Sequence, residues 1–203
     1  MQVSRFRGRA LEKDWSLPLG SLRLSQTFLA TDPPKPGEVR RLKAHVRSLL
    51  QEARIPALRA GETLVGTGGT VRNLAKIDRR ARGYPITRVH GYELSRRRLA
   101  AIASALSASR QRKREAVPGL SDERSDSIVG GALAIETLMD VCAARQVYVS
   151  GQGVREGIAY SLMARTVPNV PAVRGESVSA LTARFSVWDS DAAVRRAGVA
   201  AQL

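Results

Sequence analysis

An α/β fold is the class this sequence predicts, and two local patterns carry the prediction. Twice, a short apolar strand runs into a glycine-rich turn and then into a helix. The first unit is Glu62–Val65, the turn Gly66-Thr67-Gly68-Gly69-Thr70, and a helix from Val71 to about Arg80. The second is Gln146–Ser150, the turn Gly151-Gln152-Gly153, and a helix from Val154 to Ala164. Helical segments lie between them, so both turns fall at the carboxyl ends of strands in one layered sheet. With 43% hydrophobic and 25% charged residues in 203, the chain has globular composition and enough apolar material for a core.

The remaining elements follow in order. Val3–Arg7 and Ala10–Ser16, joined near Gly8, read as a hairpin. Pro18 ends it, because proline has no N–H for a ladder. A helix is predicted over Ser21–Ala30 with Leu22, Phe28 and Leu29 on its buried side, and Thr31–Gly37 reads as a rigid connector. The next helix, Glu38–Glu52, places Val39, Leu42, Val46, Leu49 and Leu50 at helical spacing. Ser95–Ser107 continues with Leu99, Ile102, Ala103 and Leu106 inward, and a longer helix runs from Arg124 or Ser125 to Ala143, Ser121 reading as an N-cap ahead of it. Arg165–Pro171 has linker composition, and Glu176–Val187 and Asp191–Gln202 read as two further helices.

Composition excludes several classes of function. A single cysteine, Cys142, rules out an internal disulfide and a multi-thiolate zinc site, and two histidines exclude a histidine cage. No apolar run reaches the roughly 18–20 residues of a membrane span, and Met1–Arg9 lacks the apolar core of a signal peptide. The expectation is a soluble, cytoplasmic protein with no membrane partner. Its 33 basic residues include only five lysines, against 18 acids, for a formal charge of +15. Arginine's planar fork suits phosphate oxygens, although arginine usage also follows genome composition. Arg79–Arg114 holds 11 basic residues and one acid, Glu93. It reads either as a field for polyanions or as a solvated helix face. A nucleic-acid role rests on this charge alone and is set against 4% aromatic residues and no recognisable binding motif.

The chemistry concentrates at the two turns. Gly66, Thr67, Gly68, Gly69 and Thr70 offer small residues, two hydroxyls and a following helix N-terminus, an arrangement suited to an anion or to a tight connection. No Lys-Ser or Lys-Thr follows, so this is not a P-loop. Arg155, in the first turn of a helix, opposes the helix dipole and reads equally as a phosphate ligand or as one half of a structural ion pair. Arg124 has the same helix-start position and is a second candidate. His90 and Cys142 read as structural residues. No nucleophile–base grouping and no carboxylate cluster for a metal is visible, so no catalytic residue and no metal ligand is assigned.

Five segments in order resemble the Ppx/GppA family of exopolyphosphatases and guanosine pentaphosphate phosphohydrolases. They are Ser16–Leu24, Gly66–Thr70, Val89-His90-Gly91, Gly119–Asp126 and Val149–Gly157. The resemblance implies an actin-like, ribonuclease-H-like domain over residues 1–164, a linker at 165–175 and the start of an all-α region at 176–203. It implies hydrolysis of terminal phosphoanhydride bonds in polyphosphate or pppGpp, with magnesium as cofactor. Gly66–Thr70 would line the phosphate cleft, and Arg124 and Arg155 would be its nearest charged ligands. The family's first phosphate loop, catalytic glutamate and magnesium-holding acid have no counterpart here. The chain therefore reads as the second half of the family's two-domain module, truncated at both ends, self-associating or dependent on an N-terminal domain. The alternative is a non-catalytic polyphosphate- or (p)ppGpp-binding fragment.

Overall fold

A computed structural model describes residues 1–8, 10–163 and 190–200, with isolated positions at 171, 175, 176 and 178. Two compact units emerge, Met1–Gly153 and Val154–Leu203. The division falls one helix before the 164/165 boundary read from the sequence. The linker at 165–175 and the helix Glu176–Val187 lie largely outside the described residues.

In the first unit, β1 (Gln2–Arg7) and β2 (Ala10–Ser16) pair antiparallel, Val3 opposite Trp15, with a register shift between Arg5 and Phe6. Helix α1 (Ser21–Phe28) follows and buries Leu24 and Ser25. Leu22, expected inward, is 50% exposed. The correction has a steric cause. Helix α6 (Ile128–Val141) meets α1 through Gly130 and Gly131, whose missing side chains leave room for Ser21 and Ser25. Backbone proximity rather than the largest side chain thus sets the rotation of α1, and Leu22 ends at the rim of a cavity of about 310 Å³ beside Leu29 and Val129.

Helix α2 (Pro36–Glu52) starts on Pro36, whose fixed φ suits a first helical position. Its buried residues are Glu38, Leu42, Val46 and Leu50, each four apart, and they pack on α6. The Glu38 carboxylate accepts from the amides of Lys35 at 2.7 Å and Ala30 at 3.0 Å and from the Thr31 hydroxyl, closing the connector over the helix start. These bonds, the Thr31 hydroxyl first, hold its pKa below the ordinary 4.5. A depressed carboxylate pKa contributes stability that is complete above the unfolded value and lost as pH falls through the folded one. Glu38→Gln should therefore lower the unfolding midpoint at pH 7 and flatten the loss of stability below about pH 4.5. Parallel acid titrations that overlay would refute this.

The sheet is smaller than expected at its first strand and larger by one strand. Strand β3 spans only Val65–Gly66, because Glu62 is diverted to accept from the Arg59 amide at 2.8 Å and from Arg5 of the hairpin at 3.0 Å. Helix α3 (Gly69–Ala81) follows directly. Strand β4 (Tyr92–Ser95), not among the strands the sequence predicts, pairs antiparallel with β5 (Gln146–Val149), and β3 pairs parallel with β5, for an order β3-β5-β4. Helix α4 (Arg96–Ala108) is capped by Ser95 and buries Leu99, Ala103 and Leu106; Ile102 is only partly buried. A short helix α5 (Gln111–Glu115) and a 3₁₀ turn at Asp122–Arg124 precede α6. Helices α1, α2, α3 and α4 all pack against α6, which is apolar nearly all round as a central helix must be. Cys142 at its end is buried, and burial pushes the thiol pKa up, which keeps it unreactive.

In the second unit, α7 (Val154–Met163) and α8 (Ser190–Ala200) are described, the latter matching the expected helix at 191–202. Among the described residues, no helix is long and apolar enough to cross a membrane.

Candidate functional site

Because β3 and β5 are parallel neighbours, the turns that leave them emerge side by side. The Ser150 amide donates to the Gly66 carbonyl at 2.8 Å, extending the ladder into the loops. Glycine is required at two points of the first turn. A Cβ on Gly66 would lie 2.8 Å from Val71 and 3.1 Å from Val147, and Gly68 has φ of +95°, where an L side chain is strained. Gly68 is also the N-cap of α3, so no side chain caps the first amides of the helix.

Arg124 sits on this uncapped end. A Cβ on Gly69 would lie 2.9 Å from its Nη2 and 3.1 Å from its Cζ, so the glycine makes room for the guanidinium. Among the described residues the Arg124 guanidinium has no hydrogen-bond or ion-pair partner, although the residue is half-buried. The sequence had placed it at the start of the long helix. That helix begins four residues later, at Ile128, and Arg124 instead ends the 3₁₀ turn. Its proximity to a helix N-terminus survives, but the helix is α3 and not its own.

One residue at the site, Arg72, was not singled out by sequence, and His90, read there as structural, joins it. Arg72, in the first turn of α3, donates from Nε to the Gly68 carbonyl at 3.1 Å and from Nη1 to the Gly151 carbonyl at 3.5 Å, bridging the turns. Its only signal was an arginine just inside the helix after the glycine run. His90 accepts the Gly151 amide at Nδ1, 3.1 Å, tying the Val89–Gly91 segment to the second turn. Thr67 is exposed, whereas Thr70 packs its methyl toward Gly131 of α6. Arg155 lies in the first turn of α7, in the second unit, and is exposed.

The basic segment Arg79–Arg114 is only partly a free field. Arg79 is buried and donates to the Ile86 carbonyl. Arg82 reaches the Tyr92 hydroxyl, Arg96 pairs with Asp140 at 2.5 Å, and Arg98 pairs with Asp78 at 3.0 Å. Arg114, 4% exposed, binds the Ser125 carbonyl at 2.9 Å and Asp32 at 3.1 Å. These arginines hold elements together; Arg80, Arg88, Arg97, Arg110, Arg112 and Lys113 remain on the surface.

The model of the Ppx/GppA phosphatase family matches residues 2–166. Exopolyphosphatase 1 of Mycobacterium leprae is 34% identical over 151 residues, which cover 70% of this chain and 42% of that protein. Exopolyphosphatase 2 of Mycobacterium tuberculosis is 29% identical over 153 residues, covering 73% and 48%. Among solved structures, the Ppx/GppA phosphatase of Aquifex aeolicus, in its type II variant, superposes with a TM-score of 0.72 at 26% identity, over 80% of this chain and 53% of that one. An exopolyphosphatase from Cytophaga hutchinsonii shares the fold, with a TM-score of 0.64 at 22% identity over 75% and 50%. The chain thus spans about half the length of the relatives it matches. Its α/β architecture is the actin-like fold of those neighbours, and the matched span contains every strand among the described residues and both glycine turns: the chain belongs to the Ppx/GppA phosphatase family.

Proposed function

We propose that this chain is the second phosphate-binding domain of a hydrolase that releases orthophosphate from terminal phosphoanhydride bonds of inorganic polyphosphate, or of pppGpp. The observation that carries the reading is the Arg124 guanidinium, without a partner among the described residues, at the uncapped N-terminus of α3. Helix amides and a guanidinium fork together make a phosphate-oxygen site, and both would stabilise charge that builds on the transferred phosphoryl group. The exopolyphosphatase relatives support polyphosphate as the substrate class. In this reading Gly66–Thr70 surround a phosphate and Arg124 binds its oxygens.

Among the described residues, no three His, Cys, Asp or Glu side chains converge as cation ligands, and the turns present cations and amides. The residues of the two turns themselves, Gly66–Thr70 and Gly151–Gly153, supply no carboxylate to hold magnesium, and no step is routed through it. Water activation and metal binding are allotted to a first domain acting with this one.

The test is phosphate release from long-chain polyphosphate with magnesium by this chain as written. Retention of polyphosphate without release is the expected result. Release that disappears in Arg155→Ala would overturn the assignment and direct attention to Glu123, Asp126 and Glu156 as bases. Self-association belongs to the same reading. Phe6 and Leu11 of the hairpin are 59% and 56% exposed, and Leu162 and Met163 of α7 are 82% and 85% exposed, the kind of apolar surface that recruits a partner. Light scattering should give a mass at least twice 22.0 kDa; a monomer would refute it.

A further inference from the structure

The Arg124 guanidinium has no partner among the described residues, yet its place over Gly69 is defined by the two backbone segments beneath it. Asn73 touches both. Its Nδ2 donates to the Gly69 carbonyl at 2.9 Å, and its Oδ1 accepts the Ser121 amide at 2.8 Å. Ser121 in turn accepts from the Arg124 amide at 2.9 Å, at the start of the 3₁₀ turn. One turn further along α3, Gly119 (φ +98°) packs on the Lys76 carbonyl so closely that a Cβ would lie 2.6 Å from it. The loop that carries Arg124 therefore runs along α3 in a register set by one glycine contact and one amide. Asn73 is buried, with both ends of its amide satisfied across a sequence separation of 48 residues on the Ser121 side.

The geometry points to Asn73 as a positioning residue for Arg124: its side-chain amide locks the phosphate turn and the arginine-bearing turn into one rigid unit. An asparagine is suited to this because it alone among small side chains offers a donor and an acceptor in one plane. The inference rests on the reading of Arg124 as a phosphate ligand. In place of a direct contact, Asn73 would act by holding the guanidinium where bound phosphate oxygens need it, since a fork that must be ordered on binding loses affinity.

A double-mutant cycle on long-chain polyphosphate retention tests this. Asn73→Ala should weaken retention about fivefold, the worth of one network hydrogen bond, yet have no further effect in an Arg124→Ala background. Asn73→Ser provides a second variant that keeps the fold. A serine hydroxyl can bond the carbonyl four residues back, as Ser107 does to Ala103 at 2.7 Å, so the helix bond is kept and only the Ser121 bridge is lost. Asn73→Ser should match Asn73→Ala in retention while its unfolding midpoint stays near that of the parent. Equal weakening in both arginine backgrounds would mean a merely structural residue and overturn the inference. So would unchanged retention in the single variants. Wild-type retention that Arg124→Ala leaves intact would instead remove the phosphate-ligand reading itself, and the positioning role with it.

Discussion

Arg124→Ala is expected to weaken polyphosphate retention about 10- to 100-fold, because a charge-assisted bond contributes roughly 1.5–3 kcal/mol and 1.4 kcal/mol is tenfold. The side chain is half-buried at the N-terminus of α3 and has no partner among the described residues, so its removal leaves no buried group stranded. The unfolding midpoint should therefore move little while affinity falls. Arg124→Lys should recover only part of the loss, since an ammonium keeps the charge but not the planar fork. Arg97→Ala, at an exposed position on α4, serves as the control for net charge and should cost far less. Binding curves by titration at fixed ionic strength decide the matter, because a surface-charge effect is screened by salt. Equal losses for Arg124→Ala and Arg97→Ala would mean that the whole basic face, and not this turn, holds the anion.

Gly130→Val is expected to destabilise the first unit by about 2–3 kcal/mol, at the upper end of overpacking costs, and to lower the midpoint by roughly 4–12 °C for a chain of this size. In an exposed helix, replacing glycine gains up to about 1 kcal/mol of helix propensity. Here the sterics win. An added Cβ would lie 2.7 Å from Ser25 Oγ, 2.8 Å from the Ser21 carbonyl oxygen and 2.9 Å from the Ser25 amide. Two of those atoms are backbone, so no rotamer change relieves the clash and α1 must move off α6. Gly37→Ala is the contrast, its nearest contacts being arginine tips at 3.7 Å and beyond, and it should leave the midpoint unchanged or raise it. Circular dichroism melts of the three proteins settle the comparison. A Gly130→Val midpoint equal to the parent's would show that α1 and α6 are not in this close contact.

Much of the fold was legible in the sequence because its signals are local. The hairpin has turn chemistry at Gly8, α2 has apolar residues every four positions, and each glycine turn stands between a strand and a helix. The elements that escaped are those whose signal is short or shared. Strand β4 has only Tyr92 and Leu94 alternating inward, too brief a period to stand out before an arginine-rich helix. Strand β3 shrank because Glu62 found partners in Arg5 and the Arg59 amide, and a charge 57 residues away in sequence leaves no trace in the strand's own pattern. Helix α1 turned Leu22 outward for the same reason, its rotation being set by glycines of α6.

The site divides along the same line. Sequence alone determined its parts: the glycine turns, the absence of a thiol or histidine metal cage, and an arginine excess suited to phosphate. These depend on residue type and near neighbours. Only the tertiary structure decided which arginine faces the turn. Arg79, Arg82, Arg96, Arg98 and Arg114 are held by carbonyls, hydroxyls and carboxylates from other elements, Arg72 bridges the two turns, and the Arg124 guanidinium is left over Gly69 without a partner among the described residues. A guanidinium becomes a ligand site when the fold places it near an anion cradle and supplies no acceptor, and that condition is set by residues brought from far along the chain.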